Sequence, residues 1–267
     1  MQQNNIALAP SQMFDLSDRV ALVTGCGRGI GQAIAVGLAE AGADIVGLYN
    51  NNFEKTQELV AATGKKFFPI QLDMTYADRG AMDEVVDMVI KAYKRLDIVV
   101  NNAGIIRRAP AVEFGALEWE ETIQVNLNAC FYLAQAAGTQ MLQQKYLLGY
   151  RGKIIQIASL LSYQGGITVP AYTAAKHGVL GMTRALSNEW AGEGINVNAI
   201  SPGYIRTDNT QALQDDPVRS ESIMQRIPAG RWGDPKDIAG AAVFLASPAS
   251  NYIHGTALTV DGGWMGR

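Results

Sequence analysis

The sequence predicts an α/β fold, a doubly wound parallel sheet with helices on both faces, built as a single domain. Three observations carry that expectation. Short runs rich in Val, Ile and Leu alternate with longer stretches of helical period from Val20 to Val260. No internal repeat, composition break or Gly/Ser-rich linker divides the 267 residues, and doubly wound folds of this length are commonly one domain. An apolar share of 48% against 18% charged residues is enough to bury a parallel sheet on both faces.

The first strand is expected at Val20–Thr24. It runs into Thr24-Gly25-Cys26-Gly27-Arg28-Gly29-Ile30-Gly31, after which Ile30, Ile34 and Leu38 recur at helical spacing. Strand, glycine turn and helix in that order make a dinucleotide-binding start, which gives the fold a Rossmann-type character. Glycines permit positive φ and let the backbone approach a pyrophosphate at the helix N-terminus. Further strands are expected at Asp44–Tyr49, Lys66–Leu72, Asp97–Asn101, Lys153–Ser159, Asn196–Ser201 and Ala257–Val260, with helices between them. Met82, Val85, Val86, Val89, Ile90 and Tyr93 form one helical stripe that reads as core. One long helix is expected over Trp119–Lys145, carrying Asn126, and another over Ala171–Trp190. Ligands of such sheets bind beyond the carboxyl ends of the strands, where Thr24, Asp73, Asn101, Ser159 and Ser201–Gly203 all fall.

Chemistry enters with Tyr172 and Lys176, four apart and so one turn apart on one helix face. An ammonium beside a phenol favours the phenolate, as a general base near neutral pH requires. Ser159 closes the apolar run from Lys153 and adds a hydroxyl. Ser162 is a rival hydroxyl, better suited to capping the turn that follows.

Together these residues closely resemble the classical short-chain dehydrogenases/reductases over about Leu16 to Gly263. Thr24-Gly25-x-x-x-Gly29-Ile30-Gly31 matches the family's cofactor turn, and Asp73 its adenine-side acid. Asn101-Asn102-Ala103-Gly104 matches its Asn-Asn-Ala-Gly motif, and Pro202-Gly203 with Ile205 and Thr207 the segment around the nicotinamide. The resemblance implies a catalytic set of Asn126, Ser159, Tyr172 and Lys176 that moves a hydride between nicotinamide and a carbinol carbon. In it, Asn126 would hold a water linking Lys176 to solvent. The implied cofactor site is Gly25, Gly27, Arg28, Gly29, Ile30, Gly31, Tyr49, Asn50, Asp73, Met74, Asn102, Ala103, Gly104, Tyr172, Lys176, Pro202, Gly203, Ile205 and Thr207. The chain then divides into a flexible tail at 1–15 and a catalytic domain at 16–267, with a substrate-covering segment near 204–232.

Cofactor and substrate are read from what surrounds this set. The second strand ends Tyr49-Asn50-Asn51-Asn52, with neither an acid for a ribose 2′-hydroxyl nor a second cation for a 2′-phosphate. Arg28 is the one cation in the turn, so NAD is favoured modestly and NADP stays open. Substrate contact is expected from Ser159 and Tyr172, with Arg107, Arg108 and Arg206 at the rim and Arg231 ending the covering segment. Guanidinium matches carboxylate as a bidentate fork, and these stretches look most like the family's sugar-acid branch, whose substrates are deoxy-keto gluconate or uronate derivatives. Two alternatives stand beside this reading: a 3-oxoacyl-[acyl-carrier-protein] reductase or other ketone reductase, and a catalytically silent nucleotide-binding scaffold. The first would need a basic docking face and the second would lose Tyr172 or Lys176.

A net charge of −3 offers no basic surface for nucleic acid or anionic lipid. The two cysteines, Cys26 and Cys130, share no motif and suit a reducing cytoplasm. His177 and His254 lack acidic or thiol neighbours at ligand spacing, so no metal site is expected. Residues 1–13 lack both a basic and an apolar stretch and do not read as a signal peptide. The resemblance implies a homotetramer, its two long helices pairing across subunits.

Overall fold

A computed structural model describes residues 9–267. Among them, seven strands form one wholly parallel sheet in the order β3-β2-β1-β4-β5-β6-β7. They are β1 (Val20–Thr24), β2 (Asp44–Tyr49), β3 (Phe67–Gln71), β4 (Ile98–Asn101), β5 (Gly152–Ile157), β6 (Ile195–Pro202) and β7 (Ala257–Val260). The order reverses between β1 and β4, which opens a crevice beyond their carboxyl ends. Pro69 is tolerated because β3 is an edge strand.

Alternation along each strand sends side chains to two cores. One face packs Leu22, Val46, Val99, Ile154 and Val197 beneath α3 (Arg79–Tyr93), α5 (Ala129–Gln143) and α6 (Pro170–Trp190). The other packs Ala21, Val23, Ile45, Ile98, Ile155 and Ile200 against α1 (Gly29–Glu40), α2 (Glu54–Ala61) and α9 (Pro235–Ala246). The stripe expected of α3 is buried at Met82, Val85, Val86 and Val89 and packed at Ile90 and Tyr93. Its ends are set locally: Asp78 accepts from Ala81 N (2.8 Å), and Lys94 turns left-handed at φ 68°.

The helix expected over Trp119–Lys145 is not one α-helix. α4 runs Ala116–Ile123, a single π turn spans Gln124–Asn128, and α5 follows to Gln143. Asn126 lies within the π turn, so the break falls at a candidate site residue, where such turns concentrate.

Of the tail expected at 1–15, residues 1–8 lie outside the described residues. Pro10–Gln12 form a 3-10 turn, and the Met13 carbonyl accepts from Ala249 N (3.0 Å), which ties this stretch to the body. The segment at 204–232, expected to cover substrate, holds α7 (Gln211–Gln214) and α8 (Pro217–Arg226), seated on a separate small cluster: Leu160, Ile223, Ile227, Trp232 and Trp264.

Candidate active site

The glycine turn is bolted to the end of β4. Thr24 Oγ1 accepts from Asn102 N and Ala103 N, both at 2.9 Å, and Asn102 Nδ2 donates to the Thr24 carbonyl (2.9 Å). Gly25 and Gly29 take φ of 62° and 55°, the left-handed conformations expected of this turn, whereas Gly27 and Gly31 have other reasons to be glycine. A Cβ on Gly31 would overlap the Gly25 carbonyl and the Asn102 amide, and one on Gly27 would overlap the Asn52 carbonyl. The N-cap of α1, Arg28, makes no side-chain cap, so no capping side chain takes up the helix's first amides. Positive-φ glycines, a backbone with no room for Cβ and an uncapped helix N-terminus together fit a dinucleotide pyrophosphate.

From this turn a groove of about 440 Å³ crosses the ends of the strands. It is lined by Gly25, Gly27, Arg28, Gly29, Ile30 and Gly31, by Tyr49 and Asn50, by Asp73 and Met74, and by Asn102, Ala103 and Gly104. Tyr172, Lys176 and Thr207 complete it among the residues expected from sequence. Asp73 is half committed, its Oδ1 accepting from Thr75 N (2.9 Å). Pro202, Gly203 and Ile205 do not line the groove: Pro202 closes β6, Gly203 N bonds Val260 O (2.9 Å), and Ile205 is buried below. They brace the segment that carries Thr207. Asn51 and Asn52, weighed with Tyr49 and Asn50 for the ribose, line the groove too, while Leu48, Leu72, Thr75, Ile105, Val125, Ile157, Asp208 and Asn209 escape the sequence reading. Most adjoin a strand end that was recognised, and that adjacency was the available signal.

At the inner end, Lys176 is buried and its Nζ donates to the Ile157 carbonyl (2.6 Å). The ammonium lies 5.6 Å from the centre of the Tyr172 ring. Ser159 Oγ accepts from Leu161 N (3.1 Å), capping the turn after β5. Ser162 is buried and donates to the Lys176 carbonyl (2.7 Å), so the rival hydroxyl steadies the lysine's helix instead. Asn126 is anchored at both ends of its amide. Its Oδ1 accepts from Ile105 N (2.9 Å) and its Nδ2 donates to Ile105 O (2.8 Å), so the buried amide is committed to fixing the 104–108 stretch.

The arginines sort by partner. Arg231 forms a bidentate pair with Asp237 (2.6 and 3.0 Å) at the start of α9. Arg107 meets Glu121 (3.0 Å) and Arg108 reaches the Asn209 carbonyl (3.4 Å), both exposed. Arg206 is exposed on the covering segment, tied through its backbone to Gly233 O (2.9 Å). Arg28 pairs with Asp208 at 2.6 Å.

This architecture has close counterparts. A family model described as enoyl-(acyl carrier protein) reductase matches residues 25–265. The 2-dehydro-3-deoxy-D-gluconate 5-dehydrogenase of Dickeya dadantii is 50% identical over 254 residues, 95% of this chain and 98% of that protein. A crystal structure of a candidate 2-deoxy-D-gluconate 3-dehydrogenase from Agrobacterium tumefaciens, with bound NADP, is 52% identical with a TM-score of 0.88, covering 96% of this chain and 99% of that one. The gluconate 5-dehydrogenase of Burkholderia cenocepacia, in complex with NADP and tartrate, is 38% identical with a TM-score of 0.89, covering 97% and 100%.

Proposed function

Because the chain belongs to the short-chain dehydrogenase/reductase family, we propose that it is an NAD(P)-dependent oxidoreductase interconverting a secondary alcohol and a ketone on a deoxy-keto sugar acid, a gluconate or uronate derivative. The observation that carries the reading is Tyr172 on the groove wall with the buried Lys176 ammonium against its ring. The relatives at about half identity act, by name, on sugar acids.

Bound nicotinamide supplies the hydride acceptor or donor. The chain's own residues do the rest. The Tyr172 phenol takes the substrate hydroxyl proton in oxidation and returns it in reduction. Lys176, held by Ile157, places a positive charge where negative charge grows on the phenol oxygen. Ser159 donates to the reacting oxygen while its lone pair stays on Leu161 N. Asn126 serves by placing Ile105. Arg108 and Arg206, exposed beyond the groove lining, and Arg107, shared with Glu121, are the guanidinium groups proposed to meet the substrate carboxylate, with the segment at 204–232 as the proposed cover. NAD(H) is favoured modestly over NADP(H), since among the described residues Arg28 is the only cation lining the groove besides the buried Lys176. Two buried free cysteines suit a reducing cytoplasm. Among the described residues no helix is long and apolar enough to cross a membrane.

The test is a cofactor-absorbance assay against keto-deoxy sugar acids and acetoacetyl thioesters. We expect kcat/KM to favour a sugar acid by about a hundredfold or more, as when a site pairs polar groups that the competitor lacks. A preference for the thioester would return the chain to acyl-carrier reduction.

A homotetramer is the expected assembly. Leu117 and Trp119 on α4 and Leu142 on α5 are exposed, and apolar area of this kind drives isologous contacts. Light scattering should give four times the 28.7 kDa chain mass. A monomer at micromolar concentration overturns this.

A further inference from the structure

We infer that Asp208 is a specificity-determining residue for the cofactor: pairing with Arg28 across the groove, it withholds the adenosine-end cation from a 2′-phosphate. The inference rests on the cofactor reading above. Arg28 stands at the N-cap of α1 and Asp208 180 positions later, at the start of the covering segment. Their contact, Nη1 to Oδ2 at 2.6 Å, joins opposite walls of one groove that both residues line.

Three features make the pair a discriminator rather than a plain surface contact. First, the side chains are 75% and 66% exposed, so the pair is weak and a ligand with more charge can open it. Second, the other cation lining the groove is Lys176, buried and held by Ile157. Among the described residues lining the groove, no second free cation can replace Arg28 for a phosphate there. Third, a 2′-phosphate carries about −1.5 to −2 charges, whereas a ribose 2′-hydroxyl carries none. NADP must therefore take Arg28 from a carboxylate that repels it, and NAD meets neither cost.

The same pair ties the glycine turn to the start of the proposed covering segment. A Cβ on Gly29 would lie 3.4 Å from Thr207 Cγ2, so the start of that segment rests directly on the glycine turn. Thr207 is held in turn by Thr210 and Gln214. Releasing Arg28 removes the one ion pair between turn and segment among the described residues.

The experiment measures dissociation constants of NAD⁺ and NADP⁺ without substrate, by tryptophan fluorescence and by ligand-induced rise in melting temperature. It uses the full chain, Asp208→Asn, Arg28→Met and the double variant. Asp208→Asn should tighten NADP⁺ about three- to tenfold, the scale of an exposed ion pair plus one removed like charge, with NAD⁺ changed less than about twofold. In the Arg28→Met background the ion-pair share of that gain should disappear, leaving only the smaller share from the removed like charge. An unchanged ratio in Asp208→Asn, or a full gain surviving without Arg28, overturns the inference while leaving the cofactor site standing. Failure of the unaltered chain to bind either cofactor overturns the site reading, and this inference with it.

Discussion

Tyr172→Phe is expected to lower kcat by about 10²–10⁴-fold, the usual contribution of a positioned proton donor, and to leave cofactor affinity and melting temperature nearly unchanged. The separation follows from geometry. Among the described residues no protein group bonds the Tyr172 hydroxyl, so its removal orphans nothing in the fold. The ring stays half-buried beside the Lys176 ammonium, where phenylalanine offers the same face. Steady-state kinetics with the best sugar acid, read beside a cofactor titration, makes the check. A variant retaining more than about a tenth of wild-type kcat would remove Tyr172 from proton transfer.

The second large effect lies at the opposite end of the sheet and concerns stability. Lys153, at the start of β5, is fully buried and has no carboxylate partner; its Nζ donates to Asn251 Oδ1 (2.8 Å) and Ser250 Oγ (3.3 Å) and lies 4.6 Å from the Tyr150 ring centre. Burial holds its pKa down from 10.5 to about 7. Between those values the unfolded chain binds a proton that the folded chain does not, so stability rises with pH across that window. Each pH unit is worth about 1.4 kcal/mol, giving about 2–3 kcal/mol between pH 7 and 9 and roughly 5–10 °C in Tm. His254, lowered from 6.5 by burial and by Lys153, acts below that window. Cys26, raised by burial from 9.0 to about 12, opposes it above pH 9. Thermal melts of wild type and Lys153→Met should therefore diverge from pH 7 to 9, with the rise absent in the variant. Parallel curves would mean that Lys153 titrates normally in the fold.

What could be read in the sequence was whatever has a short-range cause. All seven strands fall within two residues of where apolar runs put them, because a strand buried on both faces must be continuously apolar. Glycine turn, Asn-Asn-Ala-Gly end and Tyr172–Lys176 pair came together at one groove because the parallel order sends each strand's carboxyl end there. What stayed hidden depends on partners far along the chain. The Arg28–Asp208 and Arg107–Glu121 pairs turned two candidate ligand-binding arginines into paired ones. Asn126 reads as a helix asparagine, and only the fold brings the Ile105 backbone to meet both ends of its amide. The break in its helix has no proline or glycine to announce it.

That break makes the number of residues in this stretch matter as well as their kinds. Each helical residue turns the chain by about 100°, and the wide turn at Gln124–Asn128 absorbs one residue that a regular helix would count. α4 and α5 thereby present their side chains at different angular settings. Leu133, Ala137 and Met141 face the sheet, while Asn126 swings toward the loop after β4. Excising a single residue here would restore an unbroken spiral and rotate one half of it away from its mate. The segment works as a vernier, and a length change that spares every named side chain would still misaim the site.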